Sequence, residues 1–333
     1  MSSSCDPPGS ARGELFAANL ARHWLRARPR TLEPCPPQVF TGYDIPPAPH
    51  TPARPGPDGS APTIPRIVWS YWHDAAPPPL IAACVANWHR HAPGFEIRML
   101  NARSLHDWLP AVPASLAQAG PVLTADWARL ELLRLHGGVW LDASTVLTAS
   151  PEWAIDVQAR EHAELVGYYL ERYTTQPLFP VLENWCLAAP PGSRFVEDLQ
   201  QEFAGHVLPE GNAAYIERLR RAGLYDRVRQ AIDMPDYLSM HLAAQTVMQT
   251  RGGYRLALAR AEDGPYFYHR IGGWNRNRLR ARLLMYRADG GLPPLIKLRK
   301  PDRRRLDVYV AQGLTLPGSL IDRYLPLPPP AGG

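Results

Sequence analysis

Three charged side chains in the segment 124–147 have the types and spacing of a site for a phosphorylated ligand. Asp126 and Arg129 are three residues apart, which places both on one face of a helix. Asp142 follows after the predicted helix, a Gly-Gly pair and a predicted strand. One carboxylate can hold a divalent metal on a diphosphate, and the other can accept hydrogen bonds from sugar hydroxyls.

Each of these residues also has an ordinary structural interpretation. Asp126 suits the first turn of a helix, and Arg129 can be its ion-pair partner. Asp142 can close a turn after a strand. The order and spacing of the three together favour a site.

The elements that must position these residues can be predicted from the same segment. Thr124 is expected to cap a helix that runs to about His136, and Gly137-Gly138 is expected to end it. Residues 139–144 (VWLDAS) then form a short strand. Asp142 would lie near the carboxyl end of that strand, where open α/β sheets bind their ligands.

The surrounding sequence predicts an α/β fold. Residues 64–72 and 95–100 are predicted strands, and residues 80–91 between them form a predicted helix. This alternation implies parallel strands with crossover helices. Further strands are predicted at 165–170, 184–190 and 295–298, and a strand or hairpin at 251–259. Further helices are predicted at 194–205, 213–222, 236–250, 275–287 and 303–312.

Proline content suggests the domain boundaries. Twelve prolines fall between Pro29 and Pro65, and proline at this density disfavours helices and central strands. We therefore expect residues 1–63 to be a largely disordered leader, with one short helix over 14–28. Residues 64–325 form a single predicted catalytic domain with a helical, basic C-terminal part, and residues 326–333 a flexible tail.

The positive charge is concentrated near the C-terminus. The net charge of the chain is +5, and the segment 270–305 has twelve Lys/Arg against two acids. Such a segment can bind anionic lipid, phosphate or nucleic acid, or it can be a solvated surface. No recognised nucleic-acid module surrounds it, so nucleic acid is not expected, and we expect peripheral contact with an anionic membrane.

Cysteine spacing and hydropathy indicate the compartment. The four cysteines, Cys5, Cys35, Cys84 and Cys186, form no C-x-x-C pair, which favours free thiols over zinc or disulfides. No secretory signal and no apolar run of transmembrane length is visible. We expect a cytoplasmic protein, in part at the inner face of the membrane.

The segment 125–144 (ADWARLELLRLHGGVWLDAS) resembles the signature of capsular polysaccharide synthesis glycosyltransferases. The same signature occurs in the wider group that includes initiating mannosyltransferases and clostridial glucosylating toxins. Residues 64–72, Asn87-Trp88 and Pro93-Gly94 resemble the first strand and helix of that family, and residues 184–189 resemble a later block. The likeness extends over about residues 64–205, and more loosely to the end.

The resemblance implies a glycosyltransferase A-type fold, a Rossmann-like mixed sheet flanked by helices, with a nucleotide-sugar donor. By analogy, Trp69 or Tyr71 would stack on the base, although a tryptophan in a strand can equally be a core residue. Asp126 and Arg129 would contact the donor sugar. Asn184 would form a hydrogen bond to the donor, or it would only terminate the loop before its strand. The loop 268–274 resembles a His- and Trp-containing loop of the relatives. By this analogy, His269 would be a metal or diphosphate ligand, or else an ordinary loop histidine, and Trp274 would close over the donor.

The resemblance also implies Mn²⁺ or Mg²⁺ at Asp142, with His269. Here Asp142 is followed by Ala143 and Ser144 rather than by a second acid two residues on. Serine is a weaker metal ligand than a carboxylate. The metal could be held by Asp142 with Ser144, water and diphosphate, or basic side chains could take over part of its role.

The sequence therefore predicts a hexosyltransferase for a saccharide or lipid-linked acceptor in surface polysaccharide synthesis. Retention of the anomeric configuration is implied by the relatives, and no residue stands out as a covalent nucleophile. The alternative is a catalytically weak nucleotide-sugar-binding protein of the same fold. His241 and Gln245 share a helix face, but no third ligand accompanies them, so we expect a structural role.

Overall fold

The computed structural model describes residues 8–49 and 62–325 of the chain. The segments predicted as strands between residues 64 and 298 are confirmed as strands, with small shifts at their ends. In chain order the strands are β1 Thr41–Ile45, β2 Ile67–Tyr71, β3 Glu96–Leu100, β4 Gly138–Leu141, β5 Thr145–Leu147, β6 Leu165–Tyr169, β7 Leu182–Ala189, β8 Tyr254–Arg260 and β9 Leu295–Lys297.

Helices cover most of the remaining chain. The predicted final helix over 303–312 is split at Arg305, which has a positive φ of 63°. In chain order the helices are α1 Pro8–Ala27, α2 Pro79–His91, α3 Leu116–His136, α4 Glu152–Glu161, α5 Arg194–Glu202, α6 Leu208–Glu210, α7 Asn212–Arg221, α8 Tyr225–Arg229, α9 Ser239–Thr250, α10 Phe267–Ile271, α11 Arg276–Met285, α12 Lys300–Arg303, α13 Leu306–Ala311 and α14 Leu320–Tyr324.

The main sheet has seven strands in the order β1-β8-β6-β7-β4-β2-β3. Strands β4, β2 and β3 are parallel to one another, and β6 is parallel to β8. Strand β7 is antiparallel to both β4 and β6, and β1 is antiparallel to β8. The predicted α/β class with a mixed sheet flanked by helices is therefore confirmed. A second sheet pairs β5 with β9.

Helix α3 positions the first two predicted site residues, although it begins differently from the prediction. The helix is interrupted at Gly120, whose φ is +76°, and Pro121 starts the continuous part. Thr124 is thus not the cap, and its hydroxyl donates to the carbonyl of Gly120. Proline suits this first turn because its missing N–H would have had no helical partner.

The Gly-Gly pair between α3 and β4 is required by close contacts. A Cβ on Gly137 would lie 2.6 Å from Pro191, and one on Gly138 would lie 2.7 Å from the carbonyl oxygen of Ile67. Both glycines also have positive φ, a conformation that costs other residues energy. The Gly-Gly pair therefore lets the chain turn directly from α3 into β4, an internal strand of the sheet.

The prediction of a largely disordered leader is wrong for residues 8–49. The expected short helix is the C-terminal part of the longer helix α1, and β1 is the edge strand of the main sheet. Leu25 and Leu32 are buried in a second core with residues of α11, α13 and α14. Burial of this apolar surface supplies the ordering energy that the proline count alone does not reveal. The segment 56–60 and the tail 326–333 lie outside the described residues.

Two acidic residues of the leader pair with arginines of the basic C-terminal region. Glu14 pairs with Arg276, Arg280 and Arg305, and Glu33 pairs with Arg282. Further pairs join Arg287 to Asp289 and Arg299 to Asp302. The charge concentration seen in the sequence therefore serves in part to attach the leader to the C-terminal helices.

Two expectations about thiols and membrane spans can be checked within the described ranges. Cys35, Cys84 and Cys186 are free, as predicted, whereas Cys5 lies outside these ranges. None of the described helices combines the length and the apolar character needed to cross a bilayer.

Candidate active site

Asp142 lies at the carboxyl end of β4, as predicted. Its backbone N–H donates to the carbonyl of Trp185 on β7 across 2.8 Å, so its position is fixed by the sheet. About a third of its side chain is exposed, at 32%. This exposure makes Asp142 the most accessible of the three charged residues singled out in the sequence.

Arg129 joins the two predicted carboxylates. Its Nη1 donates to Oδ1 of Asp126, and its Nη2 donates to Oδ1 of Asp142 across 3.0 Å. The guanidinium also lies over the ring of Trp140, 4.9 Å from its centroid. Arg129 is only 3% exposed, so this geometry suits a residue that orients the carboxylates.

Asp126 and Asn184 form the second part of the site. The amide Nδ2 of Asn184 donates to Oδ1 of Asp126 across 3.3 Å, which brings these two predicted residues together. Burial raises the pKa of Asp126 in spite of the neighbouring Arg129. Among the described residues, Oδ2 of Asp126 has no hydrogen-bond donor, so this oxygen is available to a ligand.

Lys297 is the main site residue that the sequence analysis missed. Its Nζ lies 2.7 Å from Oδ2 of Asp142 and 3.3 Å from the hydroxyl oxygen of Ser144. Although burial alone would raise the pKa of Asp142, the charges of Lys297 and Arg129 lower it to about 2. The sequence did contain a signal for Lys297. A lysine within the predicted apolar strand 295–298 is expected to be buried, and a buried lysine needs an anionic or hydrogen-bonding partner.

The predicted metal ligands do not form a metal site in this arrangement. Oδ1 of Asp142 accepts from Arg129 and Trp140, and Oδ2 accepts from Lys297. The hydroxyl of Ser144 donates to the carbonyl of Leu298 across 2.8 Å. Within the described ranges, no group of three or more His, Cys, Asp or Glu residues could hold a metal ion. The donor set at Asp142 thus fits a cationic side chain and does not fit a divalent ion.

His269 is tied into the core instead of the expected ligand set. Its Nε2 lies 2.9 Å from Oδ2 of Asp302, and both residues are buried. Asp302 in turn accepts two hydrogen bonds from the guanidinium of Arg299. Burial lowers the pKa of His269 in spite of Asp302. This geometry supports a role in holding the loop 268–274 against α12.

Of the two aromatic candidates for a base platform, Trp69 lies in the core. It is fully buried, its Nε1 donates to the carbonyl of Gly137, and Trp108 and His136 pack against its ring. Because no ring face is accessible, the expectation that Trp69 stacks on a base is wrong for this structure. Tyr71 is also mostly buried, and its hydroxyl lies 2.9 Å from Nδ1 of His73.

Two arginines contact the ring of Trp274. The guanidinium of Arg172 is 4.4 Å from its ring centroid, and that of Arg299 is 5.1 Å away. The tight Gly272-Gly273 turn leads to a positive φ of 57° at Trp274. Its ring also contacts those of Tyr266 and His269. The indole is thus positioned as part of the loop that the sequence singled out.

Two more side chains near the carboxylates, Glu183 and Tyr237, were not foreseen. Glu183 lies 3.5 Å from Nε2 of His241, and both are buried. Tyr237 is 61% exposed, yet desolvation and the charges of Asp126 and Asp142 raise its pKa. The expected structural role of Gln245 agrees with its hydrogen bonds to the carbonyls of Phe179 and Pro180.

Residues 58–208 match the family described as capsular polysaccharide synthesis protein. This match confirms the resemblance inferred from the segment 125–144. The matched segment contains Asp126, Arg129, Asp142 and Asn184, whereas Lys297 lies beyond its end.

A curated relative points to the same kind of protein. Over 154 residues the chain is 26% identical to the O-glycosyltransferase braB of Annulohypoxylon truncatum. The alignment covers 40% of this chain and 36% of the relative, so the chain spans little more than a third of that relative's length. The likeness to glycosyltransferases inferred from the sequence is therefore confirmed over this part of the chain.

Solved glycosyltransferases are also similar to the chain. The PaToxG glycosyltransferase has a TM-score of 0.31 at 11% identity, covering 73% of this chain and 96% of that one. Mouse xyloside xylosyltransferase 1 has a TM-score of 0.38 at 10% identity, covering 71% and 98% respectively. TM-scores this low add nothing to the assignment of the fold, which rests on the sheet itself.

Proposed function

We propose that this protein is a glycosyltransferase with an A-type fold that moves a sugar from a nucleotide diphosphate sugar to a saccharide or lipid-linked acceptor. The observation that carries the proposal is the convergence of Asp126, Asp142 and Asn184 around Arg129 at the carboxyl end of β4. This edge of an α/β sheet is where ligands bind. All four residues lie in the segment that matches the capsular polysaccharide synthesis family, which supports a role in surface polysaccharide formation.

The proposed roles follow from which atoms remain available. Oδ2 of Asp126 accepts a hydrogen bond from a hydroxyl of the donor sugar, and Asn184 holds the Asp126 carboxylate in place. Arg129 is a positioning residue, because both of its terminal nitrogens are engaged by the carboxylates. Asp142 and the neighbouring Lys297 face the diphosphate, since Asp142 is more exposed than Asp126.

The transfer itself exchanges one bond at the anomeric carbon for another. The bond from this carbon to the diphosphate oxygen breaks, and its electron pair leaves with the nucleoside diphosphate. The acceptor hydroxyl oxygen forms the new glycosidic bond, and its proton passes to the departing phosphate oxygen. We propose attack on the same face as the leaving group, which retains the anomeric configuration. Positive charge beside the diphosphate stabilises the charge that develops there.

A donor screen tests this function directly. The full chain is incubated with a panel of UDP-, GDP-, ADP- and dTDP-sugars and oligosaccharide or lipid-linked acceptors, and products are detected by mass. We expect one donor class to give a product heavier by one sugar residue, and an Asp142→Ala variant to give none. A protein that binds these donors without transfer or hydrolysis would instead be the catalytically weak binding protein.

A peripheral contact with an anionic membrane is also proposed, since lipid-linked acceptors reside there. The support comes from helix α1, where Phe16, Leu20 and Trp24 are exposed at 75%, 64% and 45%. Their spacing places them on one helix face, and the exposed His23 and Arg26 flank that face. Apolar side chains with a cationic flank match the interface of an anionic bilayer. The basic C-terminal region contributes less, because many of its arginines are ion-paired.

A further inference from the structure

We propose that Lys297 gives this site an intrinsic cation for the diphosphate of the donor, so that nucleoside diphosphates bind without a divalent metal. This inference rests on the proposed function. It concerns a residue outside the segment that matches the family, and it explains how Asp142 can serve a donor site although Ser144 replaces a second acid.

The fold places Lys297 beside Asp142 through a dedicated pair of strands. In the small sheet, Lys297 on β9 is directly opposite Thr145 on β5. The pairing continues beyond the strands, because the N–H of Leu298 donates to the carbonyl of Ser144 across 3.0 Å. Backbone hydrogen bonds thus hold Lys297 in register with the turn that contains Asp142 and Ser144.

The ammonium group occupies the position that a bridging cation would need. Lys297 is only 6% exposed, and its Nζ contacts both Oδ2 of Asp142 and Oγ of Ser144. These are the oxygens that the sequence assigned to a metal. A divalent ion at the same oxygens would have to displace the ammonium or be repelled by it. The lysine and the metal are therefore alternatives at this position.

Lysine is rare in this chain, which makes the lysine at position 297 unusual. The sequence contains only two lysines, Lys297 and Lys300, among 36 basic residues. A compact ammonium on a flexible stem can approach a carboxylate and a phosphate as a point charge, whereas a guanidinium requires planar contacts. Lys300 is exposed on α12, and it provides a matched control of the same residue type.

Arg303 is a second cation that can bind the diphosphate. Burial lowers the pKa of Lys297, and the positive charge of Arg303 lowers it further. The guanidinium of Arg303 lies 5.5 Å from the ring centroid of Trp72. Its side chain makes no ion pair with another residue of the described ranges, so it remains available to a phosphate oxygen.

The test measures binding of UDP, GDP, ADP and dTDP to the full-length protein by calorimetry, first in EDTA and then with excess Mn²⁺. We expect at least one nucleotide to bind the wild type in EDTA, with Mn²⁺ changing Kd by less than about threefold. Replacement of Lys297 by methionine keeps the apolar stem and removes the charge. It should weaken binding in EDTA by about tenfold or more, the loss expected for one charge-assisted contact. K297R should retain part of the affinity, and K300A should leave it unchanged.

The contradicting results separate this inference from the proposed function. If the wild type binds a nucleotide only with Mn²⁺, the role of Lys297 is refuted, and the glycosyltransferase proposal stands. If none of the four nucleotides binds with or without Mn²⁺, both proposals fail. The wild-type comparison needs no variant, so metal-free binding is tested even if the methionine variant does not fold. Equal affinity of the wild type and a folded methionine variant in EDTA would also refute the role of Lys297.

Discussion

Arg129 donates to Asp142 across 3.0 Å and thereby connects helix α3 to the end of strand β4. The same guanidinium binds Asp126 on its own helix. Two carboxylates that would repel each other are held together by one buried cation. The geometry of the candidate site therefore depends on Arg129 more than on any direct contact between the carboxylates.

Removal of Arg129 should affect both stability and activity. Arg129→Ala leaves Asp126 buried without its cation, and breaking such a pair typically costs about 3–5 kcal/mol. Arg129→Lys keeps the charge but loses the two separate nitrogens that hold Asp126 and Asp142 in a fixed geometry, so transfer should fall by about a hundredfold or more. Urea denaturation and an initial-rate assay measure the two effects.

Arg220 provides the matched control. It also pairs with an acid three residues away on a helix, Glu217, but both side chains are more than half exposed. Arg220→Ala should change the free energy of unfolding by less than about 1 kcal/mol. Equal losses at Arg129 and Arg220 would contradict the assigned role.

Asp142 should be essential for reaction of the donor. Asp142→Asn retains the shape of the side chain but removes the charge that orients Lys297 and Arg129. We expect both sugar transfer and donor hydrolysis to fall by about a hundredfold or more. Asp44→Asn, at an exposed ion pair on β1, should have the wild-type rate. Transfer and hydrolysis at wild-type rates in Asp142→Ala would show that the site is elsewhere.

Stability should decline in acid partly because of Asp142. Its pKa in the folded protein is about 2, below the ordinary value of 3.8. A carboxylate with a lowered pKa stabilises the fold above its unfolded pKa, and this contribution is lost as the pH falls through the folded pKa. The advantage of the wild type over Asp142→Asn should therefore shrink between about pH 4 and pH 2. Urea midpoints at a series of pH values measure it, and a difference independent of pH would contradict the assignment.

The leader should contribute to folding stability through Glu14. Its carboxylate contacts Arg276 and the nearly buried Arg280, and it accepts a hydrogen bond from the hydroxyl of Tyr309. Glu14→Ala should reduce the free energy of unfolding by about 1–3 kcal/mol, the cost of leaving buried polar groups unpaired. Glu217→Ala, at an exposed pair, is the control. No loss of stability in Glu14→Ala would show that the leader is not held by this contact.

Membrane contact should depend on helix α1. A variant with Phe16→Ser and Leu20→Ser should bind anionic vesicles about tenfold or more weakly than the wild type, because it buries less apolar surface. Leu178→Ser is the control, since Leu178 is also exposed, at 61%. Co-sedimentation with anionic and neutral vesicles gives the measurement. Unchanged vesicle binding would show that this face does not contact the membrane.

The sequence alone determined the local elements and the core of the candidate site. Short apolar runs bounded by turn residues predicted strands β2, β3, β6 and β7, because strands buried in the sheet consist of such runs. The spacing from Asp126 to Asp142 was enough to predict that they meet, since a helix, a Gly-Gly turn and a strand leave little freedom between them. The same spacing supported the family resemblance that the match over residues 58–208 confirmed.

Only the tertiary structure decided the contacts between distant segments. Lys297 lies 155 residues from Asp142 in the sequence, and no local pattern specifies that β9 pairs with β5. The leader was mispredicted for the same reason, because its order comes from burial and ion pairs with helices near the C-terminus. Trp69 and His269 have the residue types of ligand-binding side chains, but their burial against Gly137 and Asp302 follows from packing across the sheet and around α12. Local sequence fixes which groups a segment offers, whereas long-range packing fixes which of them remain available to a ligand.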